Sequence, residues 1–135
     1  MQQNLQSISY FLPELILIST ILFTIVSDLI PSVKKHSFYI SLIGIFLSGL
    51  MLLMIGYSDK MIFNNMIIDD AFSYYFKFIL LLSTFSIVLV SKYYKSLDDE
   101  YRPEYNALLL IILLGMFLMT SSINLIMIYL SLELV

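Results

Sequence analysis

Phe38-Tyr39-Ile40-Ser41-Leu42-Ile43-Gly44-Ile45-Phe46-Leu47-Ser48-Gly49-Leu50-Met51-Leu52-Leu53-Met54-Ile55-Gly56-Tyr57 is a run of twenty residues without a single charge. As a helix rising 1.5 Å per residue it covers about 30 Å, the thickness of a bilayer's hydrocarbon core. Outward from it the same pattern recurs on both sides. Toward the N-terminus, Phe11 to Ile30 is apolar and is stopped by Pro31. Toward the C-terminus, Ala71 to Val90 carries one charge, Lys77, and Tyr105 to about Ser122 follows. A fifth apolar stretch begins near Ile123 and is still apolar at Val135. The fold class is an all-α integral membrane protein, with four transmembrane helices plus the first part of a fifth. We read residues 1–135 as one membrane domain, without repeats or linkers.

Composition agrees and excludes much else. Hydrophobic residues make up 60% of the chain and charged ones 13%, too few charges to cover the surface of a soluble domain. Without Cys there are no disulfides, thiolate metal sites or Cys nucleophiles. The lone His36 lies beside Lys34 and Lys35, with no carboxylate neighbours to build a metal site. A net charge of −3 and the lack of a basic stripe argue against a nucleic-acid partner. The opening Met1-Gln2-Gln3-Asn4 lacks the positive region of a secretory signal, and the first span is too long for a signal peptide. It is expected to stay in the mature protein.

Short polar segments join the spans: Pro31 to Ser37, Ser58 to Asp70, Ser91 to Glu104, and a tight turn over Thr120 to Asn124. Lys34, Lys35, Lys92, Lys95 and Arg102 fall on one side of the membrane and Lys60 alone on the other. The positive-inside rule then places the 31–37 and 91–104 segments inside and the N-terminus outside.

An ionisable residue within a span is costly and is a functional candidate by default. Glu14 follows Pro13 at the start of the first span, where a carboxylate complements the helix dipole, and reads as a helix start and interfacial anchor. Asp28 near the other end reads as interfacial, and Glu104 matches Glu14 in position. Asp69-Asp70 and Asp98-Asp99-Glu100 read as solvated loop charges. Lys77 lies about 9 Å into its span. Snorkelling to the outer surface is the simpler reading for it; a buried partner or a place along an ion path is the other. Glu133 is the sharpest signal. Counted from Ile123 it is about 15 Å deep, near the midplane, where its short stem reaches neither surface. Tyr129, one turn before, could donate a hydrogen bond to it, and Ile126 and Ser122 continue the same face. The expected role is proton or ion handling, or pairing with a buried lysine.

The C-terminal third carries a resemblance. Glu104-Tyr105-Asn106-Ala107-Leu108-Leu109-Leu110, Gly115-Met116, Ser121-Ser122-Ile123-Asn124-Leu125 and Tyr129-Leu130-Ser131-Leu132-Glu133-Leu134 are similar to the subunit 2 family of proton-pumping NADH:ubiquinone oxidoreductase and to the antiporter-like subunits around it. Upstream, Pro13-Glu14 resembles that family's first span, and Asp70-Ala71-Phe72 with Leu80-Leu81-Leu82-Ser83-Thr84 resembles its third. The likeness covers most of the chain and is dense from Glu104 onward. It implies energy-coupled proton translocation, with Glu133 as the proton-translocating carboxylate, and a non-redox subunit carrying no flavin, iron–sulfur or quinone site. The family's partner lysine lies in its seventh span, which this sequence does not contain.

Several expectations follow from that likeness. Other membrane-arm subunits and lipid are the expected partners. The fifth stretch from Ile123 reaches only about 20 Å, so the chain is expected to be the N-terminal part of a larger antiporter-like subunit, completed by a separate polypeptide that supplies the buried lysine beside Glu133, with a truncated sequence as the alternative. Residues with A/T-rich codons (Phe, Tyr, Met, Ile, Asn, Lys) number 59 against ten with G/C-rich codons (Gly, Ala, Arg, Pro). That bias suits an organelle genome and the mitochondrial inner membrane, with a bacterial inner membrane as the alternative. The rival functions are a subunit of a multi-subunit cation/proton antiporter and a membrane scaffold with no ion path.

Overall fold

The computed structural model describes residues 10–30, 36–57, 60–62, 66–93 and 101–135. Among them the chain runs α1 (Leu12–Leu29), α2 (Ser37–Ile55), β1 (Lys60–Ile62), β2 (Ile67–Asp69), α3 (Ala71–Ser91), α4 (Arg102–Ser121) and α5 (Leu125–Leu134). The first four helices are each long and apolar enough to cross a membrane, and α5 is a shorter apolar helix. The chain is an all-α multi-pass membrane protein. Lys34, Lys35 and Lys95, three of the five cations on which the inside segments are assigned, lie outside the described residues, as does the Asp98-Asp99-Glu100 run read as solvated loop charge.

Helix ends follow local chemistry. Gly56 takes φ +66 and its N–H donates to the Leu52 carbonyl at 3.1 Å, closing α2 before Tyr57. Asp70 caps α3, its side chain accepting from the Ser73 N–H at 2.8 Å. Pro103 sits in the first turn of α4, so that helix opens at Arg102, ahead of the expected Tyr105. Asn124 caps α5 by accepting from the Ile126 N–H at 3.0 Å, which starts that helix two residues later than the sequence suggested.

α4 is the hub of the bundle, packing against α1, α2, α3 and α5, while α2 lies between α1 and α3. Leu17, Ile21, Ile45, Leu52, Leu81, Val88, Leu110, Leu113 and Phe117 form the apolar core. Lipid tails are as apolar as leucine, so close packing of small residues has to hold such helices together. A Cβ on Gly44 would overlap the Thr20 side chain, which shows how closely α1 and α2 approach. Gly115 of α4 does the same for α5: a Cβ there would lie 2.8 Å from Val135 Cγ2 and 2.9 Å from Leu134 Cβ.

Interior hydroxyls are satisfied within their own helices. Thr24 Oγ1 donates to the Thr20 carbonyl at 2.8 Å, Ser41 Oγ to Ser37 at 3.0 Å and Ser131 Oγ to Met127 at 2.7 Å. Ser48 is different: its Oγ crosses from α2 to α1 and donates to the Pro13 carbonyl at 3.1 Å.

The β-hairpin was not expected. β1 and β2 pair antiparallel, with Met61 opposite Ile68. Ile67 bridges to Ser122, and the Ile123 N–H donates to the Met66 carbonyl at 3.1 Å. The hairpin thus clasps the α4–α5 turn. The α2–α3 and α4–α5 connections share one end of the bundle, as consecutive up-and-down spans require.

Candidate functional site

Glu14 stands in the first turn of α1, and Lys77 two turns into α3. α1 and α3 are not packed side by side, yet these two side chains meet between them. Lys77 Nζ donates to Glu14 Oε1 at 2.6 Å, with Glu14 2% exposed and Lys77 5%. The Lys77 ammonium also lies 5.8 Å from the centre of the Phe117 ring on α4, a cation–π contact. Glu14 Oε2 is buried without a hydrogen-bond partner. Leu17 and Leu81, both in the core, follow Glu14 and Lys77 by about one turn and continue the bundle interior with apolar side chains.

Glu14 opens α1 as the sequence suggested, but it is buried in the bundle instead of anchoring at the interface, and Lys77 does not snorkel to a surface. Both helices begin at the same end of the bundle. Lys77 is the deeper of the two, and its long stem reaches sideways and back to Glu14 instead of out to water. Of the two readings left open for Lys77, the structure gives it the buried partner. Glu104 does not repeat Glu14: it is exposed in the first turn of α4. Asp28 is half-buried at the far end of α1.

Glu133 has the opposite setting. α5 turns its Ser131 side toward α4, where the Ser131 carbonyl faces Gly115 and the residue is fully buried. Glu133, two residues on and roughly 200° around the helix, points away from the bundle and is exposed. Tyr129, 61% exposed, and Ile126 share its face. Ser122 does not, because it belongs to the turn before α5. With the helix starting at Leu125, Glu133 is about 12 Å along it rather than 15 Å. Among the described residues neither Lys77 nor any other cation pairs with Glu133, and Tyr129 makes no hydrogen bond to it. The three sequence-derived candidates, Glu133, Tyr129 and Lys77, therefore do not form one site. The structure instead joins Lys77 to Glu14.

No group of His, Asp and Glu that could hold a metal ion occurs among the described residues.

No family model matches the chain. Curated relatives do. It is 33% identical over 126 residues to NADH-quinone oxidoreductase subunit N of Dehalococcoides mccartyi, a match covering 92% of this chain and 26% of that protein. The subunit of the same name from an Anaeromyxobacter species is 33% identical over 139 aligned residues, covering 98% of this chain and 26% of the relative. That from a Jannaschia species is 39% identical over 79 residues, 58% of this chain and 16% of the relative. The chain spans about a quarter of the length of the first two. The likeness to the proton-pumping NADH:quinone oxidoreductase subunits extends well beyond the Glu133 neighbourhood: nearly the whole chain is homologous to about a quarter of NADH-quinone oxidoreductase subunit N.

Proposed function

We propose that this chain contributes to proton translocation in the membrane arm of NADH:quinone oxidoreductase, as a part of the complex that carries no redox centre. The observation that carries the reading is the match of nine-tenths of the chain to relatives named as subunit N of that enzyme. Electron transfer from NADH to quinone would then take place on other subunits. Those subunits, with lipid, are the partners.

Within the chain we assign proton handling to Glu133. A carboxylate on an otherwise apolar, lipid-depth face is costly unless another polar group meets it. Its exposed side on α5 supports a meeting with a neighbouring membrane-arm segment that presents a lysine. A carboxylate beside a lysine can take up and release a proton during turnover, which an amide cannot. We assign Tyr129, one turn away on the same face, as a donor to the charged form of Glu133. We assign Glu14 and Lys77 to a different task. Their charges neutralise each other inside the bundle and tie α1 to α3.

The location we propose is the mitochondrial inner membrane. The excess of residues that A/T-rich codons encode supports it, although the relatives compared are bacterial.

Proton translocation coupled to NADH oxidation, measured in sealed vesicles, tests the reading. Glu133→Gln is expected to leave the complex assembled and NADH oxidation detectable while proton uptake is strongly reduced. Unimpaired pumping would refute the role of Glu133. Failure of the chain to copurify with flavin- and iron–sulfur-bearing subunits would refute the complex itself.

A further inference from the structure

A groove of about 300 Å³ opens sideways between α2 and α3. Its floor is Ile45 and Leu81, both in the core, and its walls include Phe46, Leu53, Phe78 and Phe85. Gly49 lies in the middle of the α2 wall, and its missing side chain leaves the groove open there. A second groove of similar volume between α1 and α2 is lined by residues such as Ile16, Phe23 and Leu47, with no charged group among its lining.

The α2–α3 groove differs because a cation stands at one end of the same strip. On α3, Phe78, Phe85 and Lys92 are spaced seven residues apart, and on α2 so are Tyr39, Phe46 and Leu53. Seven residues are close to two helical turns, so each set lies along one side of its helix. Lys92 Nζ lies 4.9 Å from the centre of the Phe38 ring and 5.3 Å from that of Tyr39. The two rings hold the ammonium over the α2 end of the seam. Arg102 Nη1 donates to the Lys92 carbonyl at 3.0 Å and to that of Ser91 at 3.2 Å, fixing the end of α3. Among the described residues no carboxylate pairs with Lys92.

We propose that this seam binds one anionic phospholipid, with its phosphate at Lys92 and an acyl chain lying in the groove. Phe85 is about 10 Å from Lys92 along the helix axis, within the roughly 15 Å of one hydrocarbon leaflet, so an acyl chain anchored at Lys92 reaches the Phe46–Phe85 end of the groove, while Phe78, about 20 Å away, lies past the midplane. The chemistry agrees. A lysine at a membrane surface attracts anionic headgroups, and its four-carbon stem lies along apolar surface while its charge reaches the interface. A packed neighbouring helix would fill the groove equally well. It would leave the Lys92 ammonium at the seam's end without an anion among the described residues, and that is why the lipid is favoured. The inference rests on the membrane span alone and does not depend on proton translocation.

The test places the photoreactive p-benzoylphenylalanine at Phe46, in the full chain within its assembled complex. The complex is reconstituted in vesicles of zwitterionic phospholipid containing a minor share of anionic phospholipid. After irradiation, mass spectrometry of the chain is expected to show a phospholipid adduct enriched in the anionic species beyond its share of the vesicle. Lys92→Gln should cut that enrichment by about fivefold, the worth of one lysine at an anionic surface, and Lys92→Arg should keep it. Gly49→Leu should reduce the adduct of every lipid. A Cβ at Gly49 meets Leu81 Cδ1 at an ordinary 3.7 Å, so that substitution fills the groove with little disturbance of the core. A cross-link to protein in place of lipid would overturn the proposal. So would lipid adducts that simply follow the vesicle composition and ignore Lys92→Gln.

Discussion

Glu14 and Glu133 are both acidic residues on apolar helices, and the molecule treats them in opposite ways. Glu14 is enclosed by the bundle and matched at 2.6 Å by a lysine of the same chain, with an aromatic ring beside the ammonium. Glu133 sits on the outer side of α5, with a tyrosine and apolar side chains around it and no cation of its own chain paired with it among the described residues. The first arrangement is closed. Each charge is matched by the other, and removing either one leaves its partner buried and uncompensated. The second is open, since its carboxylate can be completed only by something outside the described bundle. Burial inside the bundle thus does not leave an acid unpaired. What separates the two is whether the matching charge is already present.

The comparison can be broken at either end, and the expected losses of stability run from large to small. Lys77→Met leaves Glu14 buried and unmatched, and should destabilise the assembled chain by about 3–5 kcal/mol. Yield and thermal unfolding in detergent would measure it. Glu14→Met with Lys77→Met removes both charges and should recover most of that loss. A double variant no better than the single one would show that the pair is not the cause. Gly44→Leu, which drives a side chain into Thr20 where α1 and α2 meet, should cost about 1–3 kcal/mol by the same measurement. Asp70→Ala removes the α3 cap, for about 1 kcal/mol, and hydrogen exchange at the Ser73 amide should rise.

Much of this fold was legible in the sequence, for a plain reason. Twenty apolar residues have few other uses, so the four long helices came out within about three residues of their observed ends. The ends that moved did so on local chemistry: the positive φ of Gly56, Pro103 in its first turn and the Asn124 cap. The β-hairpin was missed because strands of three residues carry too short a pattern to read.

The ion pair was missed for another reason. Depth along a helix says how far a charge is from water, and says nothing about which helix lies beside it. Glu14 and Lys77 are 63 residues apart in the chain. One signal was nevertheless available. Up-and-down spans bring the first and third helices in from the same side, and each carries a charge of opposite sign near that end. Weighing the two together, instead of each against its own surface, would have suggested the pair. For Glu133 the sequence supplied the shared face with Tyr129 and Ile126. It could not show that this face looks away from the rest of the bundle.

At the far end of the stability series stands Glu133→Gln. An exposed, isosteric change on α5 should alter stability by no more than about 0.5 kcal/mol. The most direct test of the division drawn here compares this variant with the Glu14→Met/Lys77→Met double variant in sealed vesicles. Proton translocation per NADH oxidised and the amount of assembled complex are measured on the same preparations. The expected result is normal assembly with proton translocation largely lost for Glu133→Gln, and proton translocation per NADH retained in whatever complex the double variant assembles. Full pumping by Glu133→Gln, or pumping lost in well-assembled complex lacking only the Glu14–Lys77 pair, would contradict it.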